Sequence, residues 1–245
     1  MATIPVRMGS ERLPGKTMRL FGGRPLLWHL INRVRQCIHL DDVIVATPDS
    51  HENDPIETFC ILESIRCYRG VEEDVLVRLI DSLRACEADI GVVVYGDNPL
   101  VDPRIVDEHI ALFCSLTDYD WIGNDLKTTF PPGMEVEVFN VSTLINSEKQ
   151  TKDPLMREHA TLGIRQRPDL YKLFNVEADG VRRRPEIHLG VDTGLDAEVV
   201  EAIINHFADS TYYSLEQIIE YVDLYPDLLK KNYDQPRRWR KYRQS

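Results

Sequence analysis

The 245-residue sequence contains no apolar run near the roughly 18 residues of a membrane span, and no charged-then-apolar leader opens it. These absences predict a cytoplasmic protein with no membrane partner. Its five cysteines (Cys37, Cys60, Cys67, Cys86 and Cys114) form no CxxC pair. Most fall within apolar patterns, which predicts buried reduced thiols rather than metal ligands or redox pairs. Internal repeats, low-complexity tracts and Ser/Gly linkers are missing too, so one domain is expected over residues 1–245. Basic charge is scarce: 29 Lys and Arg stand against 40 Asp and Glu, a net −11. That excess argues against non-specific nucleic-acid binding, which needs a basic footprint. A small anionic ligand needs only a local cluster of cations and remains possible.

What is present is alternation of strand and helix patterns. Residues 3–6 form a short apolar start, followed by a Gly/Pro-broken loop at 7–16. Leu26, Leu27, Leu30, Ile31, Val34 and Ile38 recur at helical spacing. Residues 42–46 read as a buried strand, Asp54-Pro55 as a helix start with Asp54 as N-cap, and residues 66–68 as a weak strand. Val75, Leu76, Leu79, Ile80 and Leu83 mark a third helix, and residues 90–95 are the clearest strand. Asp102-Pro103 opens another helix and residues 119–122 another strand. Residues 134–139 alternate, predicting a strand with Glu135 and Glu137 on a wet face. Further helices are expected at 154–165, 197–207 and 215–222. The pattern predicts βαβ units and a mainly parallel mixed α/β sheet flanked by helices. A nucleotide-type half is expected over about 1–125, an acceptor-side half over 126–230 and a basic tail over 231–245. Ligands of such sheets sit beyond the carboxyl ends of the strands.

The loop at 7–16 reads Arg7-Met8-Gly9-Ser10-Glu11-Arg12-Leu13-Pro14-Gly15-Lys16. Two glycines permit tight turning, Ser10 adds a hydroxyl, and Arg7, Arg12 and Lys16 bring three cations, the equipment a polyphosphate needs. A Walker A loop is excluded, because five residues separate Gly9 from Gly15 where that motif has four. No helix follows at once either.

The stretch IPVRMGSERLPGKTMRLFGGRPLLWHLINRV resembles the opening of the sugar cytidylyltransferases. The likeness is strongest to the spore coat polysaccharide cytidylyltransferase-like family, relatives of the 3-deoxy-manno-octulosonate and acylneuraminate cytidylyltransferases. It continues in order through DDVIVATPDSHENDPI, YRGVEEDVLVRL, GDNPLVDPRIVD, FPPGMEVEVF, REHATLGIR and HLGVDTGLDAE. The resemblance implies a glycosyltransferase-A-like (Rossmann-like) fold and transfer of CMP from CTP to a sugar or sugar acid, with pyrophosphate released. It further implies that residues 7–16, with Met8, Gly9 and Gly96, hold the nucleotide, with Arg12 and Lys16 on its phosphates. A homodimer is common among the similar enzymes. Departures cluster on the acceptor side: Val93 replaces a usual Arg, Tyr95 a small Thr, and REHATLG stands for REHVTPY. Another nucleoside triphosphate, a non-sugar phosphate acceptor, or a catalytically lapsed nucleotide-binding partner remain as alternatives.

Asp97 follows an apolar strand and a glycine, and Asp192 ends the strand-like run at 189–192, with Asp196 expected to cap the next helix. Two carboxylates converging opposite a phosphate loop would suit Mg²⁺, which takes one or two carboxylates plus substrate phosphates. In the similar enzymes the matching aspartates bind Mg²⁺, so the resemblance assigns both to the metal. By the same likeness Glu73 and Asp74 border the base or ribose. Their placement also suits a helix N-terminus. Arg157, Glu158 and His159 match the family's REH and face the acceptor. Arg165 meets an acceptor anion or a surface acid, and Glu135 and Glu137 face sugar hydroxyls or solvent. The basic segment from Arg237 to Arg243 is expected to dock on the acidic body or on a partner subunit in preference to RNA.

Overall fold

Side chains alternate across a strand, so a strand buried on both sides must feed two separate cores. Val92 and Val94 of the sixth strand enter the larger apolar cluster, while Val93 enters the smaller one. The first strand follows suit: Ala2 and Ile4 join the larger cluster, and Thr3 turns to the other face, where its hydroxyl lies 3.0 Å from that of Ser82.

The computed structural model describes residues 1–237. Its strands are β1 (Ala2–Pro5), β2 (Leu20–Phe21), β3 (Arg24–Pro25), β4 (Val43–Pro48), β5 (Arg66–Gly70), β6 (Ile90–Val94), β7 (Trp121–Gly123), β8 (Val136–Asn140) and β9 (Leu173–Asn175). Between and after them run α1 (Leu26–Val34), α2 (Asp54–Leu62), α3 (Val75–Arg84), α4 (Pro103–Ser115), α5 (Val141–Gln150), α6 (Pro154–Glu158), α7 (Leu162–Arg165), α8 (Gly194–His206), α9 (Leu215–Leu224) and α10 (Pro226–Lys230). Seven strands form one mixed, mostly parallel sheet in the order β5-β4-β1-β6-β8-β7-β9, with β8 antiparallel to both neighbours. β2 and β3 form a separate hairpin. From β1 the chain winds outward to β4 and β5, then returns to β6 on the other side of β1. The crevice outside the carboxyl ends of β1 and β6 is therefore the topological switch point, where such sheets take ligands. Gly96 makes that crevice possible, since a Cβ there would lie 2.2 Å from Val6 Cγ1 and 2.8 Å from Pro5 O.

Several expectations need correction. The helix expected over 154–165 is two short ones, α6 and α7, broken at Ala160 with φ 25°. β8 has no wet face: Glu137 is fully buried and Glu135 nearly so. Residues 189–192 are irregular rather than strand. Asp54 lies inside α2, whose N-cap is Asn53. Of the cysteines, only Cys37 and Cys60 are buried, and Cys114 is exposed. Among the described residues, no helix is long and apolar enough to cross a membrane.

His109 of α4 is fully buried, with Nδ1 2.7 Å from Ile105 O. Burial pulls its pKa down from 6.5 to about 4. The unfolded chain therefore takes up a proton that the folded one refuses. Its share of stability is complete above pH 6.5 and is lost as pH falls toward 4, by about 3 kcal/mol in all. Urea unfolding at pH 7 and pH 4.5 should show this loss, and His109→Gln should remove that share of it. An equal acid loss in the variant would refute the assignment.

Candidate active site

A cavity of about 390 Å³ opens at the switch point, lined by the loop after β1, the turn after β6, and residues 188–192. Backbone bonds anchor these segments, the second joining two of them directly. Val6 N–H donates to Ala46 O at 3.1 Å, Val191 N–H to Asp97 O at 2.8 Å, and Leu189 N–H to Pro132 O at 2.6 Å. The second link ties the two candidate metal aspartates to each other through the main chain.

The loop at 7–16 folds on itself through Gly15 N–H, which donates to Met8 O, and through the Thr17 hydroxyl, which donates to Arg7 O. Gly15 turns at φ 69°, whereas Gly9 needs no positive φ. Arg7, Ser10, Arg12 and Lys16 line the cavity, as do Gly96, Asp97 and Asp192. Met8 and Gly9 lie behind it, Met8 N–H donating to Asn53 Oδ1 at 2.9 Å.

Cations and acids meet at one point. Lys16 Nζ lies 3.4 Å from Asp97 Oδ2 and 3.8 Å from Asp192 Oδ1, and donates to Val191 O at 2.6 Å. Arg12 Nη2 lies 2.6 Å from Asp192 Oδ1, while Arg12 Nη1 is buried with no hydrogen-bond partner among the described residues. Such a donor costs on the order of 1–3 kcal/mol until an acceptor arrives, and a phosphate oxygen is an acceptor of the right charge.

Other expected residues separate. Asp74 caps α3, accepting Val77 N–H at 3.0 Å, and takes Arg157 Nε at 2.7 Å. Arg157 also lies 2.8 Å from Glu148, so it braces α3 against α5 and α6 and does not line the cavity. Neither do Glu73 and Asp74. Glu158 and His159 do, and burial lowers the His159 pKa.

Arg165 also reaches the cavity, but in company. Its guanidinium lies 2.8 Å from Asp125 Oδ2 and 3.7 Å from Glu137 Oε1, with all three side chains nearly buried. Burial opposes its charge, but Asp125 and Glu137 outweigh burial and raise its pKa. For Glu137 burial dominates and raises the pKa, with Asp125 adding to it and Arg165 opposing. Glu137 also accepts from the Tyr95 hydroxyl and, at 2.9 Å, from Trp121 Nε1.

Arg78 and Asp125 are among the cavity residues that went unforeseen. Arg78 of α3 is buried, donates to Val71 O and Glu72 O, and has its pKa pulled to about 10 by burial and by Arg7. Its only signal was a cation amid an apolar helix pattern. Asp125 follows β7 without a flanking motif. Of the basic tail, Arg237 is described and buried against Asp196, and residues 238–245 lie outside the described residues.

A family model described as cytidylyltransferase matches residues 1–232. The chain is 36% identical over 230 residues to the spore coat polysaccharide biosynthesis protein SpsF of Bacillus subtilis, covering 91% of this chain and 94% of that one. It is 34% identical over 116 residues to a 3-deoxy-manno-octulosonate cytidylyltransferase of Nitratidesulfovibrio vulgaris, 45% of this chain and 44% of the other. A solved cytidylyltransferase from Leptospira borgpetersenii superposes with TM-score 0.89 at 27% identity, covering 96% and 97% of the two chains. A CMP:2-keto-3-deoxy-manno-octonic acid synthetase solved with CTP shares the fold, with TM-score 0.63 at 20% identity over 84% of this chain and 98% of that one.

Proposed function

Because the chain belongs to the cytidylyltransferase family, we propose that it transfers CMP from CTP to a sugar or sugar acid in polysaccharide or glycoconjugate synthesis, releasing pyrophosphate. The supporting observation is the meeting of Arg12 and Lys16 with Asp97 and Asp192 at one point of the switch-point cavity.

The residues fit Mg²⁺. Two hard carboxylates already address one cation, the Lys16 ammonium, from 3.4 and 3.8 Å. Among the described residues no cluster of three or more His, Cys, Asp or Glu could hold a metal. Mg²⁺ takes one or two carboxylates and completes its shell with substrate phosphates. Asp97 and Asp192 would hold it, and when bound it supplies charge neutralisation at the reacting phosphate.

The side chains perform the rest by exchanging partners. Before substrate arrives, Arg12 and Lys16 neutralise the two carboxylates. When the triphosphate enters, both cations turn to its oxygens, where they neutralise the departing pyrophosphate. The acceptor hydroxyl oxygen bonds to the α-phosphorus, the bond to the bridging pyrophosphate oxygen breaks, and the hydroxyl proton leaves to solvent. Holding both reactants in line is the larger part of the task, and the wall formed by Glu158, His159 and Arg165 is suited to orient the acceptor.

A pyrophosphate-release assay over the four common ribonucleoside triphosphates tests this reading, using a panel of sugars and sugar acids. The expected result is release with CTP alone, abolished by EDTA and restored by Mg²⁺. Equal release with another triphosphate would overturn the assignment of CTP, and release in EDTA that of the metal.

A further inference from the structure

Asp192 is held in place from the far end of the chain. The carboxylate of Asp196 is fully buried. On one side its Oδ2 accepts the backbone N–H of Asp192 at 3.2 Å, and both the N–H and the hydroxyl of Thr193, at 2.8 and 2.9 Å. On the other side Arg237 grips it with both arms, Nη1 to Oδ2 at 3.0 Å and Nη2 to Oδ1 at 2.9 Å. Asn232 Nδ2 donates to the same Oδ1 at 2.9 Å and to His188 O at 3.2 Å, and Arg237 Nη2 donates to Asn232 O at 2.8 Å. Arg237 is itself buried, so this is a two-pronged ion pair shielded from solvent. It lies five residues beyond the span matched by the family model, which ends at 232.

We propose that Arg237 is a positioning residue for the nucleotidyl transfer: through Asp196 it fixes the backbone of Asp192, and with it the carboxylate that faces Lys16. The proposal rests on the reading of Asp192 as a metal ligand. The turn at 189–193 has no strand or helix of its own up to Gly194; its first half is held by main-chain bonds from Leu189 and Val191, and its second half, Asp192 and Thr193, by the Asp196 carboxylate. Without the guanidinium, the Asp196 carboxylate stays buried, with the Asn232 amide and, at 3.9 Å, His188 Nε2 as its remaining side-chain partners outside the turn. The backbone of Asp192 and Thr193 then hangs on a carboxylate no longer fixed from behind. Partners that orient a metal ligand typically change affinity or activity 10- to 100-fold when lost. The first residue of the basic segment 237–243 thereby belongs to the catalytic architecture.

The test uses the full chain with Arg237→Met, and Arg237→Lys to keep the charge without the fork. The readout is water-proton relaxation enhancement by Mn²⁺ titrated in the presence of CTP, followed by turnover over a Mg²⁺ series. For the Met variant we expect Mn²⁺ affinity and Mg²⁺ half-saturation to weaken about tenfold, with the Lys variant, which keeps the core folded, intermediate. A purely structural role would lower Tm while leaving Mn²⁺ affinity unchanged in the folded Lys variant, and that result overturns the proposal. If the wild-type protein forms no Mn²⁺–CTP complex, the metal reading fails and takes this proposal with it. If wild type and both variants form the same complex, only the role of Arg237 falls.

Discussion

Asp97→Asn is expected to lower CTP-dependent pyrophosphate release by about 10²–10³-fold, the usual cost of losing one group that stabilises charge in the transition state. The fold should survive. Asp97 stands at the rim of the cavity with its side chain 37% exposed, and its Oδ2 is 3.4 Å from Lys16, a long contact. An amide fills the same volume, and the main-chain bond from Val191 N–H to Asp97 O is untouched. Stability should therefore change by less than about 1 kcal/mol, as for an exposed pair. The asymmetry is the informative part: activity and folding are measured on one preparation, and only activity should move. A variant with the wild-type rate would remove Asp97 from the site. A variant that unfolds would show its role to be structural.

Arg165→Met, unlike Asp97→Asn, is expected to lower stability sharply as well as to disturb the acceptor wall. It leaves Asp125 and Glu137 in the interior, their side chains 3% and 0% exposed, without the guanidinium that lay against both. Removing one partner of a buried ion pair costs about 3–5 kcal/mol, because the remaining charge stays buried. For a chain of this length that lowers Tm by roughly 10 °C. Glu137 should relieve part of the strain by keeping a proton, since burial already raises its pKa and loss of Arg165 raises it further. Adding Asp125→Asn and Glu137→Gln to Arg165→Met should then recover most of the lost stability. Thermal unfolding of the single and triple variants checks this. A single variant with unchanged Tm would mean that the network bears no load, and an unrecovered triple variant that packing rather than charge is responsible.

This buried network is also where the sequence was least legible. The cationic loop at 7–16 could be read because its cations and glycines follow an apolar strand directly. Asp97 could be read because a fully apolar strand and a close-packed glycine precede it. Both signals are local. The alternation at 134–139 looks the same whether the second face meets water or a buried guanidinium. What buries Glu137 is Arg165, 28 residues on, with Tyr95 just after β6 and Trp121 of β7. Arg157 and Arg165 are equally ambiguous in sequence, yet Arg157 ties helices together and Arg165 reaches the cavity. The break at Ala160 carries no Gly or Pro to announce it. Resemblance restored the pairing of Asp97 with Asp192, but Arg237 lies beyond the matched span, and nothing near it in sequence points to Asp196.

The proposed transfer requires that the cationic loop and the two aspartates share one metal–triphosphate complex. A crystal of the protein grown with CTP and Mn²⁺, measured at the manganese absorption edge, tests it most directly. The expected result is one anomalous peak within coordination distance of Asp97 and Asp192 and of phosphate oxygens, with Arg12 and Lys16 turned from the carboxylates to the phosphates. A peak elsewhere in the cavity, or a bound triphosphate with both cations still on the aspartates, would contradict it.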